Sequence, residues 1–524
     1  MIAAGTFLRI AGTKDMSDPT PRNIVIAGGG TAGWMTAAAL ARFCGRGWAI
    51  TLVESDAIGT VGVGEATIPM IRLFNQALGI DEAEFLRETH GTWKLGIEFD
   101  GWGAPGERYM HAFGKVGRGL GLLPFHHYWL RARAAGRAGP LGDYVLNAVA
   151  AKADRFAHVE RVGESALPPM PSAFHFDAGL YAAYLRRYAE ARGVTRIEGR
   201  IEGVERDGER GDVAALVLAD GVRVSGDLFV DCSGFRGLLI EGTLETGFED
   251  WGHWLPCDRA LAVPCERADS LIPYTRATAR AAGWQWRIPL QHRTGNGYVF
   301  SSAHIGEDEA ASVLLANLDG APQAEPRLLK FRAGKRRKAW NRNVVAIGLA
   351  SGFLEPLEST SIHLIQSGIT RLLDFLPNGP VADADRDAYN RLTDFEIERI
   401  RDFVVLHYFA NRREGEPMWD ALRDMELPET LANRIAMFRA CGRIVREHDE
   451  LFDVPGWIQV LAGQGIVPER WHPLADELSD DQLDQFLATV ADAYARDAAR
   501  LPGHADYLTR FCGAPSTLSQ SSIA

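Results

Sequence analysis

The sequence predicts an α/β protein: a Rossmann-like dinucleotide-binding module with additional sheet over residues 23–380, and a mainly helical region over 381–515 packed on it. Three observations predict this. A short apolar run, a glycine turn, a helix-forming stretch and a second apolar run open the chain, which is the order of a βαβ unit and implies a parallel sheet. Two later strand-like runs, 227–230 and 343–347, also lead into glycine turns. Beyond about residue 380 glycine thins out and charged amphipathic segments take over.

Each element follows from its residues. Residues 1–22 are expected to form a disordered extension, with an alternative start at Met16 as the other reading of 1–15; a signal peptide fits less well, because the stretch holding Phe7, Leu8 and Ile10 has no basic segment before it and Lys14 and Asp15 close it. Residues 23–27 (NIVIA) read as a buried strand, 34–43 as a helix and 49–54 (AITLVE) as the second strand. Asp177 is placed to cap a helix whose buried face holds Leu180, Tyr181, Tyr184, Leu185 and Tyr188. Late in the chain, Ser479 and Gln482 form a capping box ahead of Leu483, Phe486, Leu487 and Val490. No repeat or low-complexity linker interrupts the chain, so the helical region should pack directly on the sheets.

Composition removes several function classes. A net charge of −12 with one short basic cluster, Lys335–Lys338, argues against a nucleic-acid groove; the cluster reads as a solvated face or a few anion contacts. No apolar run approaches the ~18 residues of a membrane span. Six cysteines without a CxxC pair signal neither a metal site nor a disulfide framework, and they suit a reducing cytoplasm.

Gly28, Gly30 and Gly33 form GxGxxG between the first strand and helix, where a tight turn and free helix amides at Thr31 and Ala32 can meet a pyrophosphate. Glu54 ends the second strand, the usual place for an acid that binds ribose hydroxyls. Two further strand–glycine turns, 231–237 with Gly234 and 346–356 with Gly348 and Leu349, could return backbone to the same ligand, which fits a large FAD fold better than a nicotinamide fold. Taken singly, each is equally a tight strand–helix turn.

Seven segments then appear in a fixed order: GTVGVGEATIP (59–69), THGTWKLGIEF (89–99), YMHAFG (109–114), FHFDAGLY (174–181), DCSGFRGLLI (231–240), GWQWRIP (283–289) and GFLEPLESTSIHLIQ (352–366). Together they resemble the flavin-dependent halogenases of the tryptophan-halogenase type, over residues 23 to about 470. The resemblance implies reduced FAD, oxygen and chloride or bromide as reactants. It also implies a separate NAD(P)H-dependent flavin reductase that delivers FADH2 by diffusion, and it allows a homodimer.

Residue by residue, the resemblance makes Lys94 the group that activates hypohalous acid and Glu358 its carboxylate partner. Trp284, Trp286 and Pro289 become the wall between flavin and substrate, with both indoles on one side of a strand. His111 and Phe113 fall at substrate-pocket positions, and Thr360 and Ser361 at the halide site. Gly64, Glu65 and Ala66 belong to a strap (60–67) that links the flavin and substrate sites. The residues themselves leave plainer roles open: core packing for the tryptophans, His111 and Phe113, a snorkelling surface lysine, and a helix-start glutamate.

Family members that act on free tryptophan carry a tandem tyrosine, a glutamate and Phe-Trp near the C-terminus to grip the amino-acid backbone. Between Arg443 and Trp471 this chain has no such set, only Trp457. An indole-like substrate is therefore expected, with a carrier-tethered aromatic as the alternative. An FAD monooxygenase of the same fold is the other rival, but it should show an aspartate where Leu349 follows Gly348. A non-catalytic flavin carrier would need neither Lys94, Glu358 nor the paired tryptophans.

Overall fold

A computed structural model describes residues 22–45, 47–58, 64–158 and 170–512. The expected N-terminal extension, apart from Arg22, and the first part of the strap lie outside the described residues.

The first strand, Arg22–Ala27, sits inside a six-stranded sheet in the order Trp340–Asn341, Val344–Ala346, Leu228–Asp231, Arg22–Ala27, Trp48–Glu54, Thr195–Glu198. Every pairing is parallel except that of Trp340–Asn341 at the edge. Ile24, Val25, Ile26 and Ala27 are all buried, which explains why this strand reads as a continuous apolar run: both sheet faces are covered. The helix that follows is Thr31–Phe43, starting three residues before the expected Trp34. It packs against Ala178–Glu190, which Asp177 caps by accepting from the Gly179 and Leu180 amides. On that helix Tyr181, Tyr184 and Leu185 are buried as expected, but Leu180 is 36% exposed because it lies at the rim of the apolar stripe.

A second sheet has seven strands in the order Arg327–Lys330, Arg259–Cys265, Thr294–Phe300, Gly283–Pro289, Thr275–Arg280, Gly96–Asp100, Arg108–Ala112. A small third sheet, Gly64–Ala66, Ala173–Asp177, Thr92–Lys94, carries Lys94. The Thr92 hydroxyl donates to the Pro289 carbonyl at 2.8 Å, tying the lysine strand to the end of the tryptophan strand. That leaves the Thr92 oxygen to accept from Nδ1 of buried His175 at 3.0 Å, and burial keeps the His175 ring well below the ordinary histidine pKa.

After residue 380 the described structure is helical. The 27-residue helix Asp383–Phe409 runs from an exposed start to a buried end, Arg399–Tyr408. Val454–Gly463 packs on Arg108–Ala112, where the Gln459 amide brackets the Ala112 backbone with two 3.0 Å bonds. The Ser479–Gln482 capping box is present. The basic cluster departs from expectation. Lys335 and Arg336 are each only 6% exposed, on the short strand Gly334–Arg336, where Lys335 faces Asp394, Glu398 and Glu249 and Arg336 faces Glu241. Acids from other elements bury the consecutive pair Lys335 and Arg336, while Arg337 and Lys338 stay exposed. No helix among the described residues is long and apolar enough to cross a membrane.

Candidate active site

Three glycine turns meet at the C-terminal ends of adjacent parallel strands, the crevice where open α/β sheets hold their ligands. Gly28 has φ +113°, and a Cβ there would lie 2.4 Å from the Cys232 carbonyl oxygen, so the strand can turn only with glycine. Gly30 precedes the helix without a side-chain cap, and a Cβ on Gly30 would meet nothing within 4 Å among the described residues. The first-turn amides of Thr31, Ala32 and Gly33 have no intrahelical acceptor, as a phosphate site requires. Gly234 opens the short turn Gly234–Arg236, and Gly348 and Leu349 open Gly348–Ala350; a Cβ on Gly348 would come within 2.9 Å of Ala32 Cβ.

Buried Asp231 holds the second turn closed by accepting from the amides of Ser233, Leu239 and Ile240. Glu54 lies beside Gly29 and already accepts from Arg196 at 2.6 Å and from the Trp34 indole at 3.3 Å. This cradle fits a flavin dinucleotide: uncapped helix amides for the pyrophosphate, an acid for the ribose, and two returning backbone turns.

Lys94 is wholly buried. Its ammonium donates to the Ser359 hydroxyl at 2.7 Å and to the Thr67 carbonyl at 3.0 Å, and lies 5.4 Å from the centre of the Phe113 ring. Burial pushes its pKa down from 10.5 to about 7, against the opposing pull of Glu358. Glu358 ends the short turn Pro356–Glu358, and Ser359 follows at φ 59° before the helix Ser361–Asp374 begins. Glu358 is thus separated from the helix start rather than capping it.

Nδ1 of His111 donates to the Glu358 carboxylate, at 2.8 Å from one oxygen and 3.0 Å from the other. Nε2 of His407 stands 2.8 Å from Oε1. Burial alone would raise the Glu358 pKa, but the two histidines outweigh it and hold the carboxyl at about 2. The centre therefore pairs a lysine poised near neutrality with a carboxylate that stays ionised.

Trp284 and Trp286 occupy alternate places on Gly283–Pro289, 1% and 8% exposed, with ring centres 6.2 Å apart. Opposite Trp286 stands Gly297, where a Cβ would come within 2.0 Å of the indole; glycine makes the space for the ring. The strap's end, Gly64–Ala66, pairs with Ala173–Asp177, which also pairs with the lysine strand, and Gly64 lies against Ile288 and Gly295. Thr360 precedes the helix Ser361–Asp374 without capping it through its side chain. Thr360 Oγ1 is buried and has no partner among the described residues, so this helix start presents an unmet hydroxyl beside its first amides.

Sequence reasoning missed Ser359 and Thr67 as the lysine's partners, though Thr67 belongs to the expected strap, and missed His407, Glu355 and Tyr408 altogether. His407 and Tyr408 lie on a helix whose pattern announces only packing. Ser359 was visible beside Glu358, but nothing in the sequence aims its hydroxyl. In the stretch searched for a tryptophan clamp, Trp457 is 1% exposed, with its ring under the Arg434 guanidinium at 4.3 Å and edge-on to Phe403 at 4.8 Å. The lone tryptophan of that region is core. No group of three or more His, Cys, Asp or Glu among the described residues could hold a metal ion.

A dinucleotide cradle, a buried pair of indoles and a buried lysine–carboxylate centre define a flavoprotein enzyme. Residues 23–480 match the family model for tryptophan halogenase, and the chain belongs to that family of flavin-dependent halogenases. The tryptophan 6-halogenase SttH of Streptomyces toxytricini is 36% identical over 446 residues, covering 81% of this chain and 85% of the relative. Among solved structures, a flavin-dependent halogenase from Xanthomonas campestris is 51% identical with a TM-score of 0.91, covering 94% of this chain and 99% of its own. The flavin-dependent halogenase BrvH from Brevundimonas sp. BAL3 is 48% identical with a TM-score of 0.90, covering 94% and 100%.

Proposed function

We propose that this enzyme uses FADH2, oxygen and chloride or bromide to make hypohalous acid, and that Lys94 delivers the halogen to an electron-rich aromatic, indole-like rather than free tryptophan. The observation that carries the reading is the buried Lys94 ammonium, hydrogen-bonded to Ser359 directly beside an ionised Glu358. Reduced FAD, held at the turns of Gly28, Gly234 and Gly348, would supply the two electrons with which oxygen converts halide to hypohalous acid.

The chain's own residues do the rest. The uncapped helix start at Thr360 and Ser361 suits a halide, with Thr360 Oγ1 as a further donor. Trp284 and Trp286 keep oxygen chemistry away from the substrate. Lys94 either donates a hydrogen bond to hypohalous acid, making the halogen more electrophilic, or takes the halogen onto a neutral amine. Its depressed pKa suits both. When halogen adds to a ring carbon, the ring's C–H proton must leave, and Glu358 is the base at hand.

The substrate reading rests on what replaces the clamp. Tryptophan's ammonium and carboxylate would be desolvated without dedicated partners, which is costly, whereas indole carries neither. Electrons must then come from a separate NAD(P)H-dependent reductase, since the sequence has one dinucleotide fingerprint. The test is product analysis with the purified chain, FAD, NADH and bromide or chloride, with and without an added flavin reductase, against a panel of indoles and phenols. Halogenated product only when reductase is present is expected. Oxygenated products without halogen, or NADH-driven turnover by the chain alone, would refute the reading.

A further inference from the structure

Next to the tryptophan wall lies a second buried carboxyl that the chemistry above does not use. Glu355 is fully buried. Its Oε2 accepts from the Trp284 indole N–H at 2.7 Å and from the Tyr408 hydroxyl, while Oε1 has no partner among the described residues. The Tyr408 hydroxyl also lies 3.6 Å from Cys257 Sγ. The Trp102 ring fills the space beside them, 6.2 Å from Trp284, 5.4 Å from Tyr408 and 6.0 Å from His407.

The arrangement has a direction. His407 and Tyr408 are consecutive on one helix; the first contacts Glu358 and the second contacts Glu355. The turn from Glu355 to Glu358 is thereby clasped at both ends by one helix end, and through Trp284 it is bonded to the wall. Packing alone does not call for a carboxyl here. A buried acid without a cationic partner is an expensive way to satisfy an indole N–H, and burial raises its pKa to about 7.

We infer that Glu355 is a positioning residue: it pins the Trp284 indole in register with Glu358, so that halogen activated on the flavin side reaches Lys94 instead of escaping past the wall. The inference rests on the halogenase reading above. Without the pin, the indole could rock about its side-chain torsions, and the Tyr408 hydroxyl would lose its acceptor. Flavin oxidation would continue, but more hypohalous acid would leave the protein unused.

The experiment counts both fates of the halogen. Holoenzyme with FAD, a separate reductase, NADH, bromide and indole is assayed for bromoindole formed per flavin oxidised. Hypobromous acid in solution is trapped in parallel by a dye that it brominates, in the absence of indole. Glu355→Leu is expected to raise the trapped fraction at least threefold and lower product per flavin by a similar factor, with KM for indole, FAD affinity and melting temperature little changed. Glu355→Gln, whose amide oxygen can accept both bonds, should restore product per flavin to within twofold of wild type.

Wild-type coupling in Glu355→Leu would overturn the inference. If that variant does not fold, Trp284→Phe removes the N–H donor while keeping a ring, and it must leak as well; a tight Trp284→Phe enzyme overturns the inference too. A wild-type enzyme that yields neither bromoindole nor trapped hypobromous acid would instead sink the halogenase reading, and the inference with it.

Discussion

Lys94→Met separates the electrostatics of the centre from its chemistry. The lysine's pKa falls from 10.5 in the unfolded chain to about 7 in the fold. Between those values the folded protein binds fewer protons than the unfolded one, so wild-type stability rises with pH across this window and is lowest below about 7. At ~1.36 kcal/mol per pKa unit, burying Lys94 costs on the order of 5 kcal/mol at pH 6, where it stays charged, and ~2 kcal/mol at pH 9, where it gives up its proton.

Methionine keeps the length of the side chain and removes that cost, but it leaves the Thr67 carbonyl and Ser359 hydroxyl without their donor, a loss of ~1–3 kcal/mol that does not depend on pH. Two terms of similar size thus oppose each other, and only one of them titrates. Lys94→Met should match or exceed wild type at pH 6, and its advantage should shrink by ~3 kcal/mol by pH 9. Matched urea unfolding of both proteins at pH 6, 7, 8 and 9 reads this directly. A stability difference that stays flat from pH 6 to 9 would mean that Lys94 is not held uncharged by burial, and the argument for its poise would fall.

Lys94→Ala should abolish halogenation while FAD affinity stays within twofold, because none of the three glycine turns touches it; near wild-type turnover would refute its assignment. Glu358→Gln should lower kcat by ~10²–10⁴-fold without abolishing it, since an amide can still hydrogen-bond hypohalous acid; initial rates under saturating halide decide this. Indole should be turned over faster than free tryptophan at equal concentration, with halogen at C3, the most reactive carbon, because intrinsic reactivity rules where orientation is loose. Faster, single-position halogenation of tryptophan on its benzo ring would contradict that.

The parts of this molecule legible in the sequence are those whose cause is local. The parallel core shows in the continuous apolar run before Gly28, because burial on both faces leaves no alternation to hide it. Asp177 and Ser479 announce helix starts, because a cap acts within three residues of itself. The tryptophan pair shows for a similar reason, since a strand's period of two sets both rings on one side. What was not legible depends on distant partners. Lys335 and Arg336 read as surface charge, because burial there depends on Asp394, Glu398 and Glu241 arriving from other elements. His407 reads as an ordinary position on a long helix, and only the fold brings it to Glu358.

The same distinction explains how the centre is built. Local sequence places a lysine on a short strand and a carboxylate in a turn, but neither position alone sets a charge state. Two histidines from separate elements, His111 on a strand and His407 on a helix, keep Glu358 ionised despite full burial. Among the described residues Lys94 has no anion at hydrogen-bond distance, only a hydroxyl and a carbonyl, so burial prevails and its pKa falls. Had Glu358 bonded Lys94 directly, the pair would have locked as an ordinary salt bridge with the lysine charged throughout. By giving the carboxylate to the histidines, the fold leaves the amine able to exchange its proton near neutral pH, which is the poise that the proposed halogen transfer needs.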